Sequence, residues 1–482
     1  MTAESPVHRL FINGEWVASN GKTFRRYSPV DGSLVASIPV ATADEVNAAI
    51  DAASEAAEGW RRTPRVERAK TVSAAAEELR AISDDAAMEI TMEMGKPHAM
   101  AKQELSLSRR LIADAAEQIR TLETAYIPCD DPNMRAVTML EPYGVFAIIA
   151  PWNFPYLVPL TTLSYALAAG NTVVFKPAEQ TPVAGERIVR CFERAGIPKG
   201  VLNLVQGTGE VTGEAITSSR KLDGVGFTGS IEIGKRIASK QRDNLTQLVF
   251  ELGGNGPILV LDDADLPRAA HLVAEACYGN SGQDCQAAER VLVADKVYDD
   301  FLHKVVAATA EWEVGDPREA DTKMGPLVEE SIAKKVDRHI SEAKADGAKI
   351  RTGGGRARGY PSRLYYRSTV LEDVTPDMQI AREETFGPVC PLIRCNTIDE
   401  AVEIANSGEY GLASSVFTKD FKKAMTLSER IRTGTVVINY PSTFMDINVP
   451  FGGMRESGIG RVNGKYGILS FSQLKSVFWN LG

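Results

Sequence analysis

Cys285 stands in GNSGQDCQAAER, residues 279–290, between an acid and an amide rather than among apolar residues. A structural thiol behaves as a small hydrophobe, so a polar setting points toward chemistry. The nucleophilic form is the thiolate, and a neighbouring carboxylate such as Asp284 disfavours it. Any activating partner must come from elsewhere in the chain. Glu251, in FELGGNGP, closes an apolar run, where an acid is costly unless it has a task such as general base. A hinge ion pair is the alternative. Asn153, in PWNFP, follows another apolar run in a Pro-flanked loop, and its amide N–H can stabilise an oxyanion. Capping the next helix is the alternative. A thiol, a buried acid and an amide donor are a set suited to covalent catalysis at a carbonyl carbon.

Other positions suit a nucleotide. In FTGSIEIG, Gly229, Ser230 and Gly234 end a strand pattern and open a helical one, which brings backbone N–H groups to a place where a phosphate can sit. The spacing is not G-x-G-x-x-G, and a tight strand-to-helix turn explains it equally well. In VVFKPAEQTP, Lys176 and Glu179 end a strand pattern. Ligands of doubly wound sheets bind at that end, and this pair can hold the two hydroxyls of an adenosine ribose. A solvated ion pair is the alternative. A carboxylate there repels a 2′-phosphate, which favours NAD, with NADP as the alternative. In EETFGPV, Glu384 and Phe386 are expected at the start of a strand; the acid is either a second ribose contact or a turn former.

The elements that must position these residues can be read from periodicity. After a strand-rich start, Thr42 reads as the N-cap of a helix, with helical runs over Val66–Met94 and Ala99–Leu122. RAVTMLEP then reads as a strand. From Gly144 the strands GVFAIIA, NTVVFKP, VLNLVQG, GVGFTGS and QLVFELGG alternate with helices over Tyr156–Ala169 and Pro182–Ala195 and from about Glu210 and Glu232. Near-continuous apolar strands of this kind belong to a parallel sheet covered on both faces. A second alternating block runs through GPILVLDDADL, RVLVAD, EETFGPVCPLIRC, GLASSVFT and TGTVVINY. It contains TGGGRARGYPSR, expected as an exposed hairpin. The blocks meet near Gly253–Gly254, which reads as a hinge. The fold class is therefore α/β with two doubly wound parallel-sheet domains.

Bulk properties narrow the function. The chain has 482 residues and a net charge of -9, which disfavours nucleic acid and anionic membranes as partners. Pro142–Phe175 carries no charge, yet Pro151, Pro155 and Pro159 argue against a membrane helix. The six cysteines include no C-x-x-C pair, and a core of this size needs no disulfides. Reduced thiols and a cytoplasmic location are expected. The five histidines show no H-E-x-x-H spacing, so no metal is expected. No signal peptide is read at the N-terminus.

The motifs PWNFP, KPAEQTP, FTGS, ELGG, GQDC, EETFGPV and PFGGMRESGIGR occur in that order, with FINGEWV near the start. In this order they resemble the aldehyde dehydrogenase superfamily, and the resemblance covers essentially the whole chain. It implies that Cys285 attacks the aldehyde carbon and that the oxyanion of the thiohemiacetal is held by Asn153 and the Cys285 N–H. Hydride transfer to NAD would leave a thioester, hydrolysed by water activated by Glu251. Acylating relatives typically lack this acid, so water is the expected acceptor. Lys176 and Glu179 would hold the adenosine ribose, Glu384 the nicotinamide ribose, and Phe386 would pack beside the nicotinamide. Gly229, Ser230 and Gly234 would line the pyrophosphate. Ile149, Ala150, Pro151, Trp152, Ala178, Gly209, Gly213, Phe227, Ile233 and Leu252 complete the implied cofactor contacts.

The implied domains are 1–122 with 143–253 for NAD, 254–462 for catalysis, and 123–142 with 463–482 as a small β oligomerisation extension. The latter implies a homodimer or homotetramer. Tyr156, Val158, Thr161, Asp284, Gln286 and Phe451 are expected to shape the substrate pocket. Asp284, supported by Asp446, would attract a cationic aldehyde such as an aminoaldehyde; a salt bridge or hydrogen bond away from the substrate is the alternative. YLVPLTTLSYAL, after PWNFP, lacks the Arg that succinate-semialdehyde enzymes use, which disfavours that substrate. Asn255-Gly256 replaces a Lys-Ser common in relatives, so a domain contact is expected to differ. The thiolate would be favoured by Glu251, by backbone donors near a loop-to-helix junction, and by the bound cofactor's positive ring. A thiol hydrolase would need a His beside Cys285, and His271 and His303 fall in helical runs; a catalytically silent binding protein would not require Cys285, Glu251 and Asn153 together.

Overall fold

The computed structural model describes residues 8–482; residues 1–7, which begin the expected first domain and the stretch read for a signal peptide, lie outside the described residues. Two large sheets dominate. The first has eight strands in the order Gly458–Ile459, Gln247–Leu252, Gly224–Gly229, Val145–Ile149, Thr172–Lys176, Leu202–Leu204, Leu10–Ile12 and Glu15–Val17. Its five central strands are parallel, and its edges are antiparallel. The second has seven strands in the order Lys349–Thr352, Thr369–Glu372, Val389–Cys395, Ala288–Ala294, Gly256–Val260, Ala413–Phe417 and Thr435–Ile438. Only its Lys349–Thr352 edge is antiparallel.

Side chains alternate across a strand, and each sheet uses both faces. Phe146 and Ile148 join one apolar cluster, while Val145 and Ala147 join another on the opposite face. In the second sheet Ile258 and Val260 part from Leu259 in the same way. Burial on both faces is why these strands read as unbroken apolar runs. Parallel pairing sends the carboxyl ends of the central strands to one edge: Ile149 pairs with Lys176, Phe227 with Ile149, and Thr228 with Glu251.

Helices cover the sheets. The helix Ala43–Arg62 starts in a capping box, where Thr42 accepts the Glu45 N–H and Glu45 accepts the Thr42 N–H. The run expected over Val66–Met94 is two helices, Arg65–Ala81 and Ser83–Met94, separated at Ile82. Pro159, expected to break a helix, lies in the first turn of Leu157–Ala169, where no N–H partner is lost. Around Glu210 a π-helical turn, Gly209–Gly213, precedes a single α turn. The Gly/Arg-rich loop does join two antiparallel strands, but many of its residues are half-buried.

The domain boundaries differ from the expected ones near the C-terminus. Gly458–Ile459 pairs with Gln247–Leu252 of the first sheet, and the helix Gly464–Ser470 packs on His98–Thr121 and Leu157–Ala169. The chain thus rejoins the first sheet at Gly458–Ile459, and Ile468 and Phe471 enter the apolar cluster that holds Phe146 and Ile148. Only Ser472–Asn480 belongs to the three-stranded sheet with Met134–Pro142 and Tyr126–Pro128. Among the described residues no helix is long and apolar enough to cross a membrane, and no cluster of His, Cys, Asp and Glu could hold a metal. All six cysteines are free thiols.

Candidate active site

Gly253-Gly254-Asn255 connects the last parallel strand of the first sheet to the first strand of the second. The backbone of Cys285 approaches Gly254 so closely that a side chain there would strike the Cys285 carbonyl. This close approach brings the strand end carrying Glu251 to the loop carrying Cys285. That loop leaves the helix Leu266–Tyr278 through Asn280, Ser281 and Gly282, all with positive φ, and leads into the strand Ala288–Ala294. Cys285 therefore precedes a strand, and the expected junction with a helix N-terminus is absent. Left-handed backbone at non-glycine residues is strained, and a dense hydrogen-bond network holds it here. Asn280 Nδ2 donates to the carbonyls of Asn153 and Gln283, each at 3.0 Å, and Gln283 Oε1 accepts the Val328 N–H at 2.9 Å.

Asn153 belongs to the same network. Its Nδ2 donates to the Gln283 carbonyl at 3.1 Å, two residues before Cys285, which leaves its second amide hydrogen free. Its own carbonyl accepts from Lys96 Nζ at 2.8 Å. Lys96 is fully buried and paired with Glu104, whose other oxygen accepts the Tyr156 and Leu157 N–H groups at 2.8 and 3.2 Å. Glu104 thus caps the helix that follows PWNFP, the task sequence reading had offered Asn153 as its alternative. Lys96 and Glu104 were not singled out from sequence; a Lys in a Gly-Lys-Pro turn and a Glu in the helix after it give no local sign of burial.

A cavity of about 340 Å³ opens at Cys285. Val158, Thr161, Glu251, Asp284, Gln286 and Phe451 line it, as do Phe154, Glu275, Tyr440 and Phe444, which sequence analysis did not name. Tyr156 was expected in this pocket and is instead wholly buried, with Glu89, Glu93 and Cys191 as its neighbours. Residue 156 lies just before the first turn of the helix, so its side chain leaves on a different face from Val158 and Thr161. Asp446 is also absent from the wall: its carboxylate accepts the backbone and side-chain N–H groups of Asn448 at 2.8 and 3.0 Å. Asp284 lines the cavity, accepts the Gln286 N–H at 2.9 Å and forms no salt bridge among the described residues. Gln286 pins the far wall, donating to the Ser442 carbonyl at 3.0 Å and accepting from its hydroxyl at 2.7 Å.

Burial pushes the Cys285 thiol well above its ordinary range, and the carboxylates of Asp284, Glu384 and Glu251 push it further the same way. Glu251 is raised too, first by burial, against a lowering pull from Arg461. Both of its oxygens are buried without a hydrogen-bond partner. Unsatisfied polar atoms of this kind are rare and mark a place for a water or a reacting group.

The candidate cofactor residues gather at the carboxyl edge of the first sheet. Ile149, Lys176, Gly229 and Leu252 each end a strand there. Lys176 is buried and lowered to about 8 by desolvation, against the pull of Glu179. Glu179 is half-buried and accepts the Gly209 N–H at 3.0 Å. Ser230 caps the helix Ile231–Gln241, which opens at this edge with Ile233 and Gly234 in its first turn. Ala150, Pro151 and Trp152 continue from the strand Val145–Ile149. Ala178 follows Lys176, Phe227 lies within the strand ending at Gly229, and Gly213 closes the π turn begun at Gly209. Glu384 accepts the Gly254 N–H at 3.0 Å and is pushed up to about 8, chiefly by burial and then by Glu289.

Glu384 and Phe386 are not at the start of a strand, as expected; they lie in a loop before Val389–Cys395, and Phe386 has φ +57°. Buried Glu289 holds this loop, accepting the Thr385 and Phe386 N–H groups at 2.9 Å each, and Trp152 meets the Phe386 ring edge-on at 5.5 Å. Asn255, the other departure noted in the sequence, holds Arg290 through its carbonyl and Ala381 through its amide, both within the second domain.

A profile of the "Aldehyde dehydrogenase family" matches residues 16–477. The chain is 38% identical over 469 residues to a glutarate-semialdehyde dehydrogenase of Pseudomonas putida, covering 97% of this chain and 96% of that one. It is 36% identical over 469 residues to the succinate-semialdehyde dehydrogenase [NADP(+)] GabD of Escherichia coli, with the same coverage. The crystal structure of an NAD-dependent aldehyde dehydrogenase from Sinorhizobium meliloti superposes with a TM-score of 0.96 at 35% identity, covering 99% of this chain and 95% of that one. The chain belongs to the aldehyde dehydrogenase family.

Proposed function

We propose that the protein oxidises an aldehyde to the carboxylic acid through a covalent adduct on Cys285, with NAD as the preferred cofactor over NADP. The observation that carries this reading is the convergence of Cys285 and unpartnered, buried Glu251 on one cavity where the two sheets meet. The Cys285 sulfur attacks the carbonyl carbon, and its proton passes to the Glu251 carboxylate. The new oxyanion is held by the free hydrogen of Asn153 Nδ2 and by the Cys285 N–H. The hydride that leaves this adduct would be accepted by a nicotinamide cofactor bound at the first sheet's edge. Glu251 releases the thiol proton to solvent and, again a carboxylate, removes a proton from the water that attacks the resulting thioester; the acid departs as the sulfur takes that proton back and the thiol re-forms.

The residues present fit such a cofactor. Strand ends, the Ser230-capped helix and the Gly209–Gly213 turn frame one edge. Lys176 and Glu179 would hold the adenosine ribose, Glu384 the other ribose, and Phe386 would pack beside the ring. Gly229, Ser230, Ile233 and Gly234 would lie along the pyrophosphate, with the remaining strand-end residues completing the contacts. Half-buried Glu179 supports the NAD preference, because a second negative charge beside it is unfavourable. The domain roles follow: the first sheet with its helices binds cofactor, the second carries Cys285, and the three-stranded sheet joins subunits into a dimer or tetramer.

A panel of aldehydes with NAD+ or NADP+, followed at 340 nm, tests the reaction. Cys285→Ser is expected to lower NADH formation at least about 10³-fold, since an alcohol lacks the nucleophilicity of the thiolate. Unimpaired turnover in that variant would remove Cys285 from the mechanism.

A further inference from the structure

We infer that the Cys285 cavity selects aldehydes carrying a cation at the end remote from the carbonyl, with Glu275 and Asp284 as the residues that recognise it. This rests on the reading of the cavity as the aldehyde site. The charged side chains that line the cavity are Glu251, Glu275 and Asp284, and no Lys, Arg or His lines it. Glu251 is committed to proton transfer. The other two have no ion-pair partner among the described residues. The cation nearest Asp284, Lys96, is spent on Glu104 and the Asn153 carbonyl.

The geometry grades the cavity from base to rim. Asp284 adjoins the half-buried sulfur, whereas Glu275 is exposed on the helix Leu266–Tyr278. Tyr440 and Phe444, both exposed, meet edge-on at 5.3 Å and line the cavity, whereas Phe154 on the same wall already carries Lys96 Nζ over its ring at 3.8 Å. Aromatic faces attract a cation, and carboxylates at a low-dielectric wall do so more strongly. An uncharged aldehyde of the same shape gains the apolar contacts and none of the Coulomb attraction. An anionic semialdehyde meets like charges and no counterion. Two of the similar relatives, the glutarate-semialdehyde and succinate-semialdehyde dehydrogenases, are named for such anionic substrates, so similarity to them and the lining charges point to different substrates.

The test uses three aldehydes with the full-length enzyme and NAD+: 4-(trimethylammonio)butanal, its uncharged isostere 5,5-dimethylhexanal, and the shorter, anionic succinate semialdehyde. The kcat/KM of the cationic aldehyde is expected to exceed that of the isostere at least about tenfold, with succinate semialdehyde the poorest. Glu275→Gln and Asp284→Asn should each lower that ratio severalfold, and raising the salt concentration should compress it. A wild-type ratio at or below one overturns the proposal, as does a ratio that neither variant moves. Turnover of the isostere alone leaves the aldehyde-site reading standing while this proposal falls. Absence of turnover with every aldehyde overturns that reading and this proposal together.

Discussion

The thiol of Cys285 sits among three carboxylates and is shifted against ionisation by burial and by each of them. Burial and these carboxylates thus disfavour the Cys285 thiolate, and burial likewise disfavours the ionised form of Glu251. Both must lose a proton to act. Because both pKa values lie above the ordinary ones, the competent fraction is small near pH 6 and grows as the pH rises. The expected kcat/KM profile climbs from pH 6 to pH 9. Glu251→Gln should give a slower enzyme with a shallower climb, since only the thiol titration remains. A flat wild-type profile over that range would contradict this electrostatic account. At the same scale, Asp284 illustrates a limit of sequence reading. Its type was visible and its position on the cavity wall was not, because a residue adjoining a nucleophile can face either way.

At the scale of elements, the loop that carries Cys285 is held by side chains from distant parts of the chain. Lys96 and Glu104 tie the Asn153 carbonyl to the start of the helix Leu157–Ala169, deep in the protein. Removing one member of a buried pair leaves the other charge uncompensated. Lys96→Met is therefore expected to destabilise the fold by about 3–5 kcal/mol, measured by urea unfolding. It should also lower kcat, because Asn153 loses its anchor. Lys96→Met with Glu104→Gln, which removes the stranded charge, should recover part of the stability and little of the rate. Recovery of both together would make Lys96 a purely structural residue. The loop bearing Glu384 and Phe386 shows the same logic. Glu289 holds it at two N–H groups, and the positive φ of Phe386 lets the chain turn before the strand begins. The apolar run in EETFGPVCPLIRC suggested an earlier strand because periodicity registers side chains, not the backbone bonds that a buried acid takes for itself.

For the whole molecule, the three-stranded sheet is the element without a partner. Leu474 and Phe478 of Ser472–Asn480 are exposed on one face of it together with Ile127, and Trp479, Met139 and Tyr126 are exposed on the other. An apolar surface of this kind calls for a cover, and a second copy of the chain is the expected one. Leu474→Asp with Phe478→Asp should shift the mass in solution, measured by light scattering, toward the monomer. An unchanged mass would place the subunit contact elsewhere.

The sequence by itself determined the α/β class, the alternation of strands and helices, and the membership implied by seven ordered motifs. Apolar strand runs, turn glycines and caps are local, and local patterns survive in one dimension. It also supplied Cys285, Glu251 and Asn153 as residue types set in unusual contexts. The tertiary structure alone decided which residues meet: that Tyr156 turns away from the cavity, that Glu275 and Tyr440 face it, that Lys96 and Glu289 hold the loops, and that residues 458–470 return to the first sheet. These depend on contacts between segments tens to hundreds of residues apart. Such contacts are fixed by packing and by the need to pair buried charge, and neither leaves a periodic mark in the chain.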